Sequence, residues 1–325
     1  MGRAIFVLAL VLSGSPSAVF LGGPAPGAGE AQQPTFRAGV DLVNFGVTVT
    51  DRRGNFLTDL NADDFELVED GQKQTLRLFA RGDATVGLLG AGDRDEGALR
   101  QELHIGLLFD TSGSMTEDLK LSRSAAIKFL NMLPEADDMT LVDFDTEVRV
   151  AKYGQQDFPR MVERIRRRKP DGWTALYDAL GVYLDGADED KGRKILVLYT
   201  DGGDTRSNVT FSDVMTFVRA SDVTVYAIGL LEHQPNSVKN EQRMRLQQIT
   251  EATGGQAFFP FSMKEVDAAY EKILGQIRAQ YSLGYISSNQ KPDGHWRKVD
   301  IKVNRADVRI QARKGYFAPY KESNK

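Results

Sequence analysis

No cysteine occurs in the 325 residues. That excludes a disulfide framework, a thiolate nucleophile, a sulfur-liganded metal and a cysteine for lipid attachment, so the fold must rest on its core alone. Histidine is nearly as scarce. The three present, His104, His233 and His295, lie far apart, with no spacing that suits a zinc site or a catalytic triad. Positive charge is not in excess either: the formal net charge is −4, which lacks the electrostatic footprint of a nucleic-acid binder. No nucleic-acid partner is expected. The densest basic cluster, "RIRRRKP" from Arg164 to Pro170, reads as a solvated helix end. Glycine-rich "TDGGDT" lacks the Lys-Ser/Thr of a phosphate-binding loop. No apolar run approaches the roughly 20 residues of a membrane-spanning helix, and no internal repeat is found.

What is present begins with Arg3 and the apolar stretch "AIFVLALVL" (Ala4 to Leu12), followed by small residues and prolines. A run this short suits the core of a secretory signal removed on export. Cleavage after Ala31, with Gly29 two positions before it, satisfies the small-residue rule, so residues 1–31 are expected to be the signal. The mature protein is then exported, to the periplasm or outside the cell, without a permanent membrane span.

From Phe36 the pattern is β without helices: Phe45, Val47 and Val49 alternate, and "DFELVEDGQKQTLRLF" reads as a hairpin turning at Asp70-Gly71, a pair that accepts a type I′ turn. This N-terminal β segment (36–82) gives way to a Gly- and Asp-rich linker (83–102). Residues 103–280 then alternate strand and helix, which predicts a doubly wound, mainly parallel sheet flanked by helices. Predicted strands are His104 to Phe109, Met139 to Phe144, Val148 to Ala151, Lys194 to Thr200, Val223 to Ile228 and Gln256 to Phe259. Predicted helices are Glu117 to Leu133, Phe158 to Arg168, Ala175 to Leu184, Phe211 to Ala220, Glu241 to Thr253 and Met263 to Gln280. In the last, Val266, Ala269, Tyr270, Ile273 and Ile277 form one apolar stripe. A second β segment (281–320) follows. A few strands alone are marginal and leave open edges, so the two β segments are expected to pair into one small domain with the α/β domain inserted between them.

Two apolar strands end in an aspartate. "HIGLLFDTSGSM" delivers Asp110 and then Ser112 and Ser114; "KILVLYTDGGDT" delivers Asp201. In open α/β sheets the crevice beyond the strand ends is where ligands bind. If both strands lie centrally and parallel, the two carboxylates, both serines and Thr174 of "DGWTALYDAL" converge at one edge. Such an all-oxygen set suits a hard divalent cation: two carboxylates balance its charge, and hydroxyls add ligands without repulsion. Taken singly, each of these residues also has a local reading as a helix cap or turn residue.

The order "DTSGSM", "GWTALYDAL", "YTDGGDT" resembles the von Willebrand factor A domain and its metal-ion-dependent adhesion site. That motif falls here on Asp110, Ser112, Ser114, Thr174 and Asp201. The layout of an exported chain with flanking "DFELVEDGQKQ", "QYSLGY" and "RKGYFAP" is similar to the bacterial VWFA-related proteins of acidobacterial type. The resemblance implies a doubly wound fold that holds Mg²⁺ or Mn²⁺, with Ca²⁺ as a further candidate, and uses it to capture an Asp or Glu of a protein ligand. The implied function is a non-enzymatic binding or scaffold module. Asp178 and Asp204, close in sequence, read as a helix-surface and a loop residue.

Two alternatives compete. "TLVDFDTEV" resembles the nucleophile loop of haloacid-dehalogenase-like phosphatases, with Asp143 as nucleophile and Asp145 as acid, but Glu147 stands where Thr or Val belongs; a hairpin turn explains the stretch more simply. The aromatics Tyr281, Tyr285, Trp296, Tyr316 and Phe317 keep open a structural envelope protein that binds through its β domain, although strand spacing favours sheet core. The tripeptide Arg81 to Asp83 matches an adhesion sequence that recurs by chance.

Overall fold

The computed structural model describes residues 42–82, 87–88, 102–133, 136–188 and 190–320. The expected signal (1–31), residues 36–41, most of the linker and Asp83 lie outside the described residues.

The first segment contains β1 (Leu42–Asp51), β2 (Phe65–Glu69), β3 (Gln72–Gln74), β4 (Leu76–Arg81) and β5 (Gly87–Leu88). The inserted region follows as β6 (Leu103–Asp110), α1 (Leu119–Asn131), β7 (Asp138–Phe144), β8 (Val148–Gly154), α2 (Phe158–Arg167), α3 (Leu176–Ala187), β9 (Arg193–Thr200), α4 (Phe211–Ala220), β10 (Thr224–Gly229), α5 (Asn236–Ala252), β11 (Ala257–Phe258) and α6 (Met263–Ala279). The chain ends in β12 (Tyr281–Ile286), β13 (Trp296–Val303), β14 (Val308–Gln311) and β15 (Gly315–Phe317).

Strands β6 and β9 are buried at every residue, as near-continuous apolar runs require when helices cover both faces of a sheet. They pair in parallel at the centre of a six-stranded sheet of order β11-β10-β9-β6-β7-β8, in which only the edge strand β8 is antiparallel. Alternation sends Ile105, Leu107 and Phe109 to one face, against Phe129 of α1 and Tyr270 and Ile273 of α6. Leu108 points to the other, where Leu180, Val214 and Leu246 belong to α3, α4 and α5. Each fully buried Leu, Ile or Phe contributes roughly 1.5–3 kcal/mol. The chain is therefore α/β, with a mainly parallel sheet flanked by helices.

The N- and C-terminal strands do combine, in two antiparallel sheets: β14-β1-β12-β4-β5 and β15-β13-β2-β3. Phe45, Val47, Leu67, Tyr281, Leu283 and Val299 fill the core between them. The Asp70-Gly71 turn has φ of 45° and 85°, both positive as a type I′ turn demands, but the hairpin it closes is short. After Gln74 the chain leaves β2 and β4 joins β12 in the other sheet. Likewise β12 and β13 part to different sheets.

Arg193, the first residue of β9, ties the β strands to the α/β region: its guanidinium donates to the carbonyls of Gly82 (2.8 Å) and Ile277 (2.5 Å) and to Gln280 Oε1 (3.0 Å). Arg313 donates to the carbonyls of Ser221 (3.1 Å) and Asn44 (2.6 Å), and Gln311 Nε2 to that of Gly255 (2.7 Å). Arg193, Ser221 and Gly255 all stand at or before the amino ends of parallel strands. The β sheets thus occupy one edge of the α/β region, and the carboxyl ends of its strands face away from them.

Candidate metal centre

Asp110 closes β6 and is 0% exposed. Its Oδ1 accepts from the Ser112 amide (2.9 Å) and the Ser112 hydroxyl (2.6 Å). Ser112 Oγ lies 3.1 Å from Ser114 Oγ, so one hydrogen-bonded chain joins the first three expected residues. Oδ2 accepts from Thr200 Oγ1 at 2.6 Å. The chain then makes a 3₁₀ turn, Gly113–Thr116, and α1 starts only at Leu119, after Asp118, so none of the three residues caps that helix.

Asp201 follows β9 and is 1% exposed. Its Oδ1 accepts from the Gly203 amide (3.0 Å) and its Oδ2 from Gln234 Nε2 (2.7 Å). Thr174 is 4% exposed. Its loop is laid against the Asp110 loop by Asp171 N–H to Thr111 O (3.0 Å) and Gly113 N–H to Gly172 O (3.1 Å), and against the Asp201 loop by Thr205 N–H to Thr174 O (2.9 Å). Helix α3 starts at Leu176 after Ala175, so the Thr174 hydroxyl is not its cap; Asp204 Oδ1 serves that end by accepting from Tyr177 N–H (3.2 Å). Asp178 ties α3 to the loop between β9 and α4, accepting from the amides of Asn208 and Val209.

The electrostatics are unbalanced. Burial, then the nearby charge of Asp201, push the Asp110 carboxyl up to about 7 against the lowering effect of the Ser112 and Thr200 hydrogen bonds. Among the described residues no ion pair reaches Asp110 or Asp201. Buried charges ordinarily have a charged partner or a metal, so this pair is suited to a cation. The donor set, carboxylates and hydroxyls only, fits a hard divalent ion.

Sequence reasoning passed over three neighbours. Thr200 was legible only as the end of a strand, and Gln234 carries no motif. Asp118, 4% exposed, accepts from or shares a proton with His233 Nδ1 at 3.0 Å while its Oδ2 has no partner. Burial raises its pKa, and the hydrogen bond to Asp118 raises that of His233.

His104 is not isolated. It stands at the opposite, amino-terminal edge with Asp138 and Asp190, each offering an atom within 4.8 Å of the others. Lys152 Nζ bridges the two carboxylates at 3.1 and 2.7 Å, which supplies a positive charge without an ion. Asp143 is 0% exposed and paired with Arg149, Arg164 and Arg168 at 2.6 to 2.9 Å, whereas a phosphatase nucleophile needs a lone pair open to substrate. Part of the basic run thereby serves the interior. Tyr281, Tyr285 and Tyr316 are buried in the β core, while Trp296 and Phe317 meet edge-on at 5.1 Å.

The sequence model of the von Willebrand factor type A domain matches residues 104–276, more than half of the chain. Among curated proteins, the chain is 29% identical over 154 residues to the uncharacterized protein sll0103 of Synechocystis, an alignment covering 44% of this chain and 36% of the relative. The chain therefore spans only about a third of that protein's length. Solved structures it is similar to include the open conformation of the pilus adhesin SpaC from Lactobacillus rhamnosus GG (12% identity, 83% of this chain and 51% of that one, TM-score 0.46). A von Willebrand factor type A structure from Catenulispora acidiphila matches at 13% identity, 89% and 76% coverage and TM-score 0.45. The vWF domain of the type V pili tip protein Mfa5 from Porphyromonas gingivalis matches at 14% identity, 54% and 96% coverage and TM-score 0.44. No helix among the described residues is long and apolar enough to cross a membrane.

Proposed function

Because this chain belongs to the von Willebrand factor type A domain family, we propose that it is an exported, non-enzymatic adhesion or protein-binding module. It grips an exposed Asp or Glu of a protein partner through Mg²⁺ or Mn²⁺ held by Asp110, Ser112, Ser114, Thr174 and Asp201. One observation carries the reading: Asp110 and Asp201 are buried, 0% and 1% exposed, close enough to repel each other, and unpaired with any cationic side chain among the described residues.

A divalent ion supplies the missing positive charge and can accept one further oxygen from outside the chain. The rest is done by this chain's own residues. Ser112 and Ser114 present neutral oxygens beside Asp110. Thr200 and Ser112 fix the Asp110 carboxylate, and Gln234 and Gly203 fix that of Asp201. In this reading residues 1–31 direct export to the periplasm or beyond, 83–102 link, 103–280 carry the site, and 36–82 with 281–320 support it from the far edge.

The test is the melting temperature of the mature protein in chelator and then in Mg²⁺, Mn²⁺ or Ca²⁺, beside Asp110→Ala and Asp201→Ala. Saturation at about 100 times Kd adds about 2.7 kcal/mol, several degrees at roughly 2–4 °C per kcal/mol. Both variants should lose the rise. No rise with any ion at millimolar concentration in the unsubstituted protein would end the metal reading.

A further inference from the structure

Trp173 is 64% exposed, yet the loop beneath it is fixed at every peptide. Asp171 N–H donates to Thr111 O (3.0 Å), Gly172 N–H to Asp171 Oδ1 (2.8 Å), Trp173 N–H to Thr146 Oγ1 (2.9 Å), Thr174 N–H to Thr205 Oγ1 (3.0 Å) and Ala175 N–H to Asp145 O (2.9 Å). Gly172 takes φ of +68°, and a Cβ there would lie 2.4 Å from Thr146 Oγ1. No aromatic ring or guanidinium among the described residues stacks on the indole.

An exposed indole on a fixed loop adds little to folding, but it offers a large contact area at small entropic cost to a partner, which is why tryptophan dominates interface hot spots. Its position matters as much. The next residue is Thr174, its Cα about 3.8 Å along the chain, so the indole springs from the backbone of the loop that supplies a candidate ligand.

We propose that Trp173 is a recognition residue of this edge, receiving the large apolar or aromatic side chain that adjoins the partner's captured Asp or Glu. This rests on the metal-mediated reading above and narrows the partner to a protein segment in which an acidic residue stands beside an apolar one. Charge favours such a segment over an acidic polysaccharide, the other polymer that joins carboxylates to stacking surfaces. The surrounding loops carry Glu117, Asp171, Asp204 and Glu232 beside Lys169 and Arg206; Glu117 and Glu232 are paired with His233 and Lys239, and Arg149 and Arg168 are already committed to Asp143 and Asp145. That mixed rim lacks the continuous row of cations that holds a polyanion and admits a lone carboxylate with uncharged neighbours.

The experiment is selection of a random displayed peptide library on the Mn²⁺-loaded mature protein and on its Trp173→Ala and Trp173→Phe variants, with chelator elution. Polygalacturonate binding is measured in parallel. The surface position of Trp173 leads us to expect unchanged melting temperatures. The expected result is an unsubstituted pool enriched in Asp or Glu beside Phe, Tyr, Trp, Leu or Met. Trp173→Ala should keep the acidic residue, lose the neighbour preference, and bind the selected peptides about tenfold or more weakly; Trp173→Phe should retain part of both. An identical neighbour preference in Trp173→Ala, or none in the unsubstituted protein, overturns the role of Trp173 while leaving metal capture standing. Absence of acidic enrichment in every pool overturns both. Tight polygalacturonate binding that needs Trp173, without peptide enrichment, overturns the protein assignment.

Discussion

Thr200 Oγ1 donates to Asp110 Oδ2 at 2.6 Å across the β6–β9 pair, and accepts in turn from the Gly202 amide at 3.0 Å. One hydroxyl therefore ties the first carboxylate of the candidate site to the loop that carries the second, Asp201. Groups that orient metal-binding side chains typically change affinity about 10–100-fold when removed. Thr200→Val keeps the shape and deletes the bond. We expect Mn²⁺ affinity, measured calorimetrically, to fall by about that factor with little loss of fold. Unchanged affinity would show that Ser112 alone holds Asp110.

The same carboxylate sets a pH dependence. Burial beside Asp201 raises Asp110 to about 7, above the roughly 3.9 of an unfolded Asp. The folded chain then keeps a proton that the unfolded chain gives up, so in chelator stability falls as pH climbs from about 4 to about 7. Asp110→Asn lacks this slope and should melt higher than the unsubstituted protein in chelator at neutral pH. It should gain nothing from Mg²⁺. Identical pH slopes for the two proteins would place the titration elsewhere.

The inserted region was legible because its signals are local. An apolar run such as Ile195 to Tyr199 is long enough for a strand, and the stripe Val266, Tyr270, Ile273, Ile277 meets the sheet at helical spacing. The site residues were legible for the same reason, as polar atoms placed directly after such runs. Pairing is not local. Nothing between Gln74 and Leu76 announces that β4 leaves the sheet of β2 for that of β12, and a residue such as Gln234, which orients Asp201 from another loop, has no motif to mark it. Helix α5 begins at Asn236 rather than Glu241 because its first turns are exposed and so carry no apolar period. Helix α1 begins at Leu119 rather than Glu117 because a 3₁₀ turn precedes it.

At the opposite edge, His104 Nε2 faces the Lys191 carbonyl at 2.6 Å and Nδ1 faces Asp138 Oδ2 at 3.1 Å. Both partners accept, so both ring nitrogens are best satisfied as donors, in the charged imidazolium. Burial is the largest single effect and pulls its pKa down, but the bonds to Asp138 and Lys191 and the charges of Asp138 and Asp190 together raise it. A raised histidine stabilises fully below its unfolded value of about 6.5 and ceases to do so as pH rises through its folded value. We expect melting temperature to decline through that window and His104→Gln to flatten the decline. An unchanged slope in the variant would assign it to another group.

Glu69 lies 2% exposed between the two β sheets. Its Oε2 accepts from Tyr285 (2.7 Å) and Tyr316 (3.0 Å), and its Oε1 from Ser287 (2.6 Å). These donors come from β12, β15 and the loop after β12, so one carboxylate joins strands that the sequence separates by more than two hundred residues. Glu69→Leu would leave the buried hydroxyls of Tyr285 and Tyr316 without this acceptor, at about 1–3 kcal/mol each, while Ser287 Oγ keeps the Asn289 carbonyl at 3.1 Å. Glu69→Gln keeps an acceptor and should cost less. Urea unfolding should therefore rank Glu69→Leu well below Glu69→Gln, and Glu69→Gln below the unsubstituted protein. Removing the hydroxyls as well, in Glu69→Leu/Tyr285→Phe/Tyr316→Phe, should recover part of the loss, because two orphaned donors disappear with it. If the triple variant is no more stable than Glu69→Leu, the lost stability lies in packing between the sheets rather than in these hydrogen bonds.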